Sequence, residues 1–403
     1  MSMDSKVPEI RFKGFSGAWR QFLLGDLGVV ATNKRIFMHQ ASLIGDVPFY
    51  KIGTFGKEPK LFISQELFDD YKKRFPFPQK GDLLFSVIGS IGKVVEYTGE
   101  NEYFQDSNIV WLKHDGAIVN AFLKQFYSIV EWSGIEGSTI KHLYNRNILE
   151  TKIQLPSEKE QTAIGNYLQK FDTLINQHQQ KHDKLSNIKK SMLEKMFPKP
   201  SETIPEIRFK GFSGEWEVKS LNRIAEKVTE KNTSMLYCET FTNSAEFGII
   251  SQRDYFDKDI SNSNNISGYY IVQPDNFVYN PRISTLAPCG PINRNTLDRV
   301  GIMSPLYTIF KTKGVNTIFI EYFFQTKLWH TFMFLNGDTG ARADRFSIKD
   351  SVFFELPLLI PTVDEQTKIG NYFQKLDALI NRHQQQITKL KNIKQACLSK
   401  MFV

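Results

Sequence analysis

The chain has 403 residues, a net charge of +8 and three cysteines (Cys238, Cys289 and Cys397) too far apart for a disulfide framework or a Cys-x-x-Cys metal or redox motif. Its length allows two or three domains, and its mild positive charge leans toward an anionic partner. No apolar run approaches the roughly 20 residues that span a bilayer and no leader pattern opens the sequence, so a reducing cytoplasm is the expected setting and a membrane partner is not expected.

Residues 7–19 read VPEIRFKGFSGAW. A variable block follows, about 20–155. Apolar runs at 48–55, 82–89, 92–97 and 108–113 predict strands, with Gly89-Ser90-Ile91-Gly92 as a hairpin turn. A helix is predicted over 117–132, with Asn120 as a candidate cap, and then a Gly/Ser/Thr-rich stretch runs from Gly134 to Lys141.

The next segment opens with Ser157-x-x-Glu160, which fits a capping box, and ends at Pro198. Seam positions run through Ile164, Leu168, Phe171, Ile175, His178, His182, Leu185, Ile188, Met192 and Met196. Steps that alternate between 4 and 3 are the spacing of a coiled coil. His178 and His182 have a zinc-compatible separation. The second copy of this helix has Ile387 at the later position, so both histidines read better as seam residues.

The pattern then starts again. Residues 204–216 read IPEIRFKGFSGEW, with 11 of 13 positions identical to the opening motif. A second block, about 217–360, predicts strands near 269–280 and 305–311, a helix near 317–334 and a glycine-containing loop from Asn336 to Arg345. Thr362-x-x-Glu365 opens a second long helix, with seam positions Ile369, Phe373, Leu376, Ile380, His383, Ile387, Leu390, Ile393, Cys397 and Met401. Residues 160–197 and 365–402 share 25 of 38 positions without a gap. The blocks show no comparable identity, so the sequence reads as one scaffold carrying two different recognition surfaces.

The expected fold is α/β (α+β): two small mixed target-binding domains joined by two long antiparallel coiled-coil helices, with an internal pseudo-two-fold repeat. The expected boundaries are 1–156, 157–198, 199–361 and 362–403. In each block a turn, an aspartate (Asp82, Asp275) and an apolar strand lead to a polar residue, Ser86 or Asn280. Phosphates and base edges need exposed donors of this kind beside glycines. Phe12, Phe15 and Trp19, with Phe209, Phe212 and Trp216, read first as packing for a helix end and second as a protein-docking site.

Motifs of DNA enzymes are missing. Gly92-Lys93 lacks the rest of a P-loop, and Asn280-Pro281-Arg282 departs from the Asn-Pro-Pro-Tyr/Phe motif of amino-methyltransferases at its third residue. Asn280 therefore reads as a DNA-facing or a turn residue.

The repeated Pro-Glu-Ile-Arg-Phe-Lys-Gly-Phe-Ser-Gly-x-Trp motif, the block ending in Leu155-Pro156 and the Glu-Gln pairs opening each long helix (Glu160-Gln161, Glu365-Gln366) resemble type I restriction–modification specificity subunits. The resemblance implies two target-recognition domains, each reading half of a split double-stranded DNA site. It implies two methyltransferase subunits as partners, and restriction subunits joined through them. Catalysis is then not expected of this chain, nor any cofactor: S-adenosylmethionine, ATP and Mg would belong to the partners.

Residue chemistry and the parallel between blocks select the candidate DNA contacts. They are Lys51, Lys57, Ser86, Ser90, Lys93, Gln105, Ser138, Thr139 and Lys141 in the first block, and Asn280, Arg282, Ser304, Arg342 and Arg345 in the second. The alternative is a coiled-coil adaptor with two protein-binding domains, which salt-sensitive binding to duplex DNA would exclude.

Overall fold

The structure is a computed structural model that describes residues 7–136, 141–256, 263–339 and 344–403. They fall into two compact units: Met1–Gln179 with Gln384–Val403, and Gln180–His383. Each unit takes in one block and a piece of both long helices, so the four segments expected from the sequence regroup as two.

In unit 1 the strands are β1 (Arg20–Leu23), β2 (Val29–Ala31), β3 (Val47–Tyr50), β4 (Leu61–Ile63), β5 (Leu83–Ser86), β6 (Val94–Glu96), β7 (Tyr103–Phe104), β8 (Ile109–Lys113) and β9 (Lys152–Leu155). An antiparallel sheet in the order β2-β8-β5-β6 is covered on both faces. Leu83, Phe85, Val110 and Leu112 pack toward Phe122, Ile164 and Leu168. Leu84, Ile109 and Trp111 pack toward Phe55 and Phe104. Adjacent residues on a strand face opposite ways, so a run such as Leu83-Leu84-Phe85 feeds two cores at once.

Unit 2 holds β10 (Glu217–Ser220), β11 (Ala225–Lys227), β12 (Phe241–Ser244), β13 (Gly248–Ser251), β14 (Tyr270–Val272), β15 (Phe277–Tyr279), β16 (Ile292–Arg294), β17 (Gly301–Met303), β18 (Thr308–Thr312) and β19 (Pro357–Ile360). Its main sheet, β11-β18-β15-β16, repeats the first one. Phe277, Tyr279 and Phe310 face Phe319 and Phe373, while Val278 and Ile309 face Phe241 and Met303.

Three predicted elements are corrected. The strand expected over 269–280 is two, β14 and β15, because Asp275 turns the chain at φ 66° and Asn276 Oδ1 accepts the Gln273 N–H at 3.0 Å. The helix expected over 317–334 is also two, Thr317–Phe324 and His330–Asn336. Asn120 does not cap the helix Asn120–Tyr127. Its amide donates instead to the Gly81 carbonyl at 2.8 Å.

The long helices are Glu158–Lys195 and Val363–Met401, each about 57 Å at ~1.5 Å per residue. Ser157 Oγ and Thr362 Oγ1 accept the Glu160 and Glu365 N–H groups, both at 3.4 Å, which is half of a capping box. The glutamate side chains do other work. Glu160, 1% exposed, takes a two-point ion pair from Arg11 at 2.6 and 2.7 Å. Glu365, 0% exposed, takes the same from Arg208 at 2.7 Å. The carboxylate in turn holds each guanidinium above its ordinary pKa.

The repeated motif thus ties the start of one helix to the end of the other. Ile10 N–H donates to the Lys400 carbonyl and Ile207 N–H to the Lys195 carbonyl, both at 2.9 Å. Trp19 packs edge-on against Phe122 and Phe402, and Trp216 against Phe319 and Phe197. Phe12 and Phe209 meet Tyr167 and Tyr372 in the same way. For Phe12, Trp19, Phe209 and Trp216 these contacts are the helix-end packing expected first of the aromatic residues.

Inside each unit the two helix pieces run antiparallel. Tyr167 and Cys397 both pack against the unit 1 core, and Asp172 pairs with Lys394 at 2.6 Å. Lys189 pairs with Asp377 at 2.7 Å and Phe197 meets Phe373 in unit 2. The predicted seam is corrected at one place: Ile393 is 38% exposed, and Lys394 and Leu398 turn inward instead.

Candidate nucleic-acid interface

In unit 1 the site is built on the β5–β6 hairpin. Gly89 and Gly92 hold φ values of 69° and 79°, a region costly for other residues, so the turn needs both. Ser86 braces the turn from within: it is 1% exposed, its hydroxyl donates to the Ser90 carbonyl, and it accepts the Lys93 N–H at 3.1 Å. The expectation of an exposed donor at Ser86 is corrected, because the tight turn has orphan backbone groups that its hydroxyl satisfies.

Against this hairpin lies the turn from Lys51 to Lys57, closed by Thr54. Gln105 Oε1 accepts the Ile52 N–H at 3.0 Å. The Lys93 ammonium donates to the Phe55 carbonyl, and Lys51 Nζ lies 3.0 Å from Met38 Sδ. Burial pushes the neighbouring Tyr50 phenol up to about 12, keeping it a neutral donor to Glu102. Lys57 and Ser90 are exposed.

A return segment completes the corner. Leu143 N–H donates to the Val87 carbonyl at 2.8 Å, and His142 bridges Ile88. The His142 ring lies 4.5 Å from that of the exposed Tyr144, and its Nδ1 is buried with no hydrogen-bond partner among the described residues. Lys141, exposed, stands beside it. The fold therefore gathers Lys51, Lys57, Ser90, Lys93, Gln105 and Lys141 from four places in the sequence. Ser138 and Thr139 lie outside the described residues. His142 and Tyr144 were missed: a lone histidine in a short loop carries no pattern.

Unit 2 repeats the corner with other side chains. Phe346 N–H donates to the Pro281 carbonyl at 2.7 Å, and Arg345 bridges Arg282. These contacts match Leu143–Val87 and His142–Ile88. Asn280 takes the place of Ser86. It is 8% exposed, donates to the Asn243 carbonyl at 2.8 Å and accepts the Arg282 N–H at 3.0 Å. Of the two readings of Asn280, the turn residue is the one that fits this burial. A side chain at Gly290, φ 86°, would collide with the Asn280 carbonyl.

Arg282 is exposed and stands 4.0 Å from Asp344. Arg345 Nε is buried and unpaired among the described residues. Ser304 sits apart, in a turn after β17, where its hydroxyl accepts the Leu306 N–H at 3.4 Å. Arg342 lies outside the described residues. Each corner thus presents cations and polar donors at the end of a rigid hairpin, a chemistry suited to phosphates and base edges.

The scaffold is thus two repeated α/β units, each presenting such a corner. Residues 17–187 match the type I restriction modification DNA specificity domain. The chain is 52% identical over 154 residues to the type I restriction enzyme specificity subunit S.HindORF215P of Haemophilus influenzae, a match spanning 38% of this chain and only 40% of that protein. It is 26% identical over 347 residues to the MjaX specificity subunit of Methanocaldococcus jannaschii, covering 77% and 76% of the two chains. The crystal structure of a type I restriction–modification S subunit from M. genitalium shares the fold, with a TM-score of 0.65, 13% identity, and 98% and 99% of the chains covered. The type I restriction modification DNA specificity domain thus covers residues 17–187 of this chain, and the S subunit structure shows that the fold of the whole chain is shared.

Proposed function

We propose that this chain selects the DNA target of a type I restriction–modification complex. Each unit reads one half of a bipartite double-stranded site through its hairpin corner, and the long helices that pass from one unit into the next set the unread gap. The observation that carries this reading is one corner built twice on the same backbone contacts, with Ile88 and His142 in unit 1 where unit 2 has Arg282 and Arg345. Unlike side chains on like frames read unlike sequences.

Methyl transfer and cleavage fall to two methyltransferase subunits and to restriction subunits bound through them. S-adenosylmethionine, ATP and Mg are held there. This chain supplies recognition without catalysis.

The test is an exchange of residues 20–155 for the block of another such subunit, with the methylated adenines of the host genome then mapped. One half of the motif should change while the other half and the gap stay. A simultaneous change in both halves would sink the reading. Methyl transfer by the purified chain alone, given S-adenosylmethionine and DNA, would show that catalysis had been misassigned.

A further inference from the structure

The β15–β16 loop of unit 2 forms one wall of a groove of about 440 Å³. The first long helix forms a second wall with Lys189 and Lys190, and the segment after Thr317–Phe324 a third with Lys327 and His330. Ser186, Asn293, Gln325 and Thr326 add polar groups, and no carboxylate lines it among the described residues. Lys189 is matched by Asp377, but Lys190 and Lys327 are exposed and carry no ion pair among the described residues. Burial first, and the charge of Lys327 second, hold His330 below its ordinary pKa.

The repeat supplies a control for this groove. Gln161 Oε1 accepts the Val119 N–H as Gln366 Oε1 accepts that of Asn316, and Gln125 meets Asp172 as Tyr322 meets Asp377. In that alignment Lys327 corresponds to Val130, His330 to Ser133 and Lys190 to Gln395. The scaffold therefore folds without these cations in unit 1. Their gathering in unit 2 serves something other than the fold.

We propose that this groove binds phosphate groups of the DNA backbone beside the half-site read by unit 2, with Lys190 and Lys327 as the contacting cations. The proposal rests on the DNA-recognition reading given above. It gives unit 2 a footprint running from the Arg282–Arg345 corner, across the hairpin loop, onto the long helix.

The test measures binding of the full chain to a mixed-sequence 40-base-pair duplex between about 50 and 200 mM salt, against a Lys190→Gln/Lys327→Val double variant. Those replacements are the residues unit 1 already carries. Two lost phosphate contacts should reduce the slope of log affinity against log salt by about 1.8, so that the affinity lost over that salt range shrinks by about 12-fold. Lys190→Gln alone should remove about half of that change in slope, and covers the case in which the double variant folds poorly. An unchanged slope while the parent chain binds overturns the groove and leaves the DNA reading standing. No salt-dependent binding by the parent overturns the reading itself. Inorganic phosphate titrated alone separates the sources. A saturable change in tryptophan fluorescence, absent from the double variant and joined to an unchanged DNA slope, would make this a free-anion site and end the backbone assignment.

Discussion

In unit 1 Arg11 reaches Glu160 and Asp172 pairs with Lys394; in unit 2 Arg208 reaches Glu365 and Asp377 pairs with Lys189. The bonds that place the corner are also retained, Leu143 to Val87 and Phe346 to Pro281. At the bridge that closes the corner the side chains differ: an isoleucine and a histidine stand in one unit, two arginines in the other. The comparison separates two jobs. Buried ion pairs and backbone bonds decide where a side chain is displayed, and their partners must match. The displayed side chains answer only to the ligand, so they are free to differ.

The sharpest way to break that comparison is to cut the retained joint. Arg11→Ala leaves Glu160 buried without its partner, and Arg208→Ala does the same to Glu365. Each should cost about 3–5 kcal/mol in denaturant unfolding of the full chain. A loss below about 1 kcal/mol in either variant would mean that the two joints are not equivalent.

A smaller effect is expected at the corner. Arg345→Ala should weaken binding to the target duplex by about 1–3 kcal/mol while the unfolding curve stays put. Titration of a duplex carrying the methylated motif measures this, and unchanged affinity removes Arg345 from the interface.

The helix pairs are partly exposed, so Asp172→Asn and Asp377→Asn should each cost no more than about 1 kcal/mol, again alike in the two units. Unequal losses in urea unfolding would show that the two pairs are not interchangeable parts of the repeat.

The least effect should come from Ile393→Ala, within about 0.5 kcal/mol. Its counterpart Ile188 packs against the unit 2 core, so Ile188→Ala should cost more. Equal losses would restore the uniform seam expected from the sequence.

The repeat, the long helices and the two-block plan were legible because they rest on local identity and period. The Arg–Glu joints were not, although all four residues stand in repeated motifs. Their partners lie 149 and 157 positions apart, and nothing local marks which arginine meets which carboxylate. Ser86 and Asn280 stand at strand ends as expected, but Ser86 turns inward rather than out, and of the two readings of Asn280 only the turn residue fits. A small polar residue beside a turn serves water, ligand or backbone equally well until the turn closes. The candidates Lys51, Lys93 and Gln105 rest on residue chemistry and the parallel between blocks, and what gathers them is a hairpin packed on a distant turn.

The joint between motif and helix end also orders events in time. The unit 1 core closes on Leu398, Met401 and Phe402, with Phe402 stacked 4.8 Å from Phe122. A ribosome adding roughly 5–20 residues per second takes about 10–40 s to pass from the end of the first long helix to those residues. Through that interval Trp19 and Phe122 have no lid, whereas unit 2 receives its borrowed helix end, Met196 and Phe197, before its own block is made. The half that is synthesised first is thus the half that finishes folding last, and the nascent chain carries an open apolar face for most of its birth.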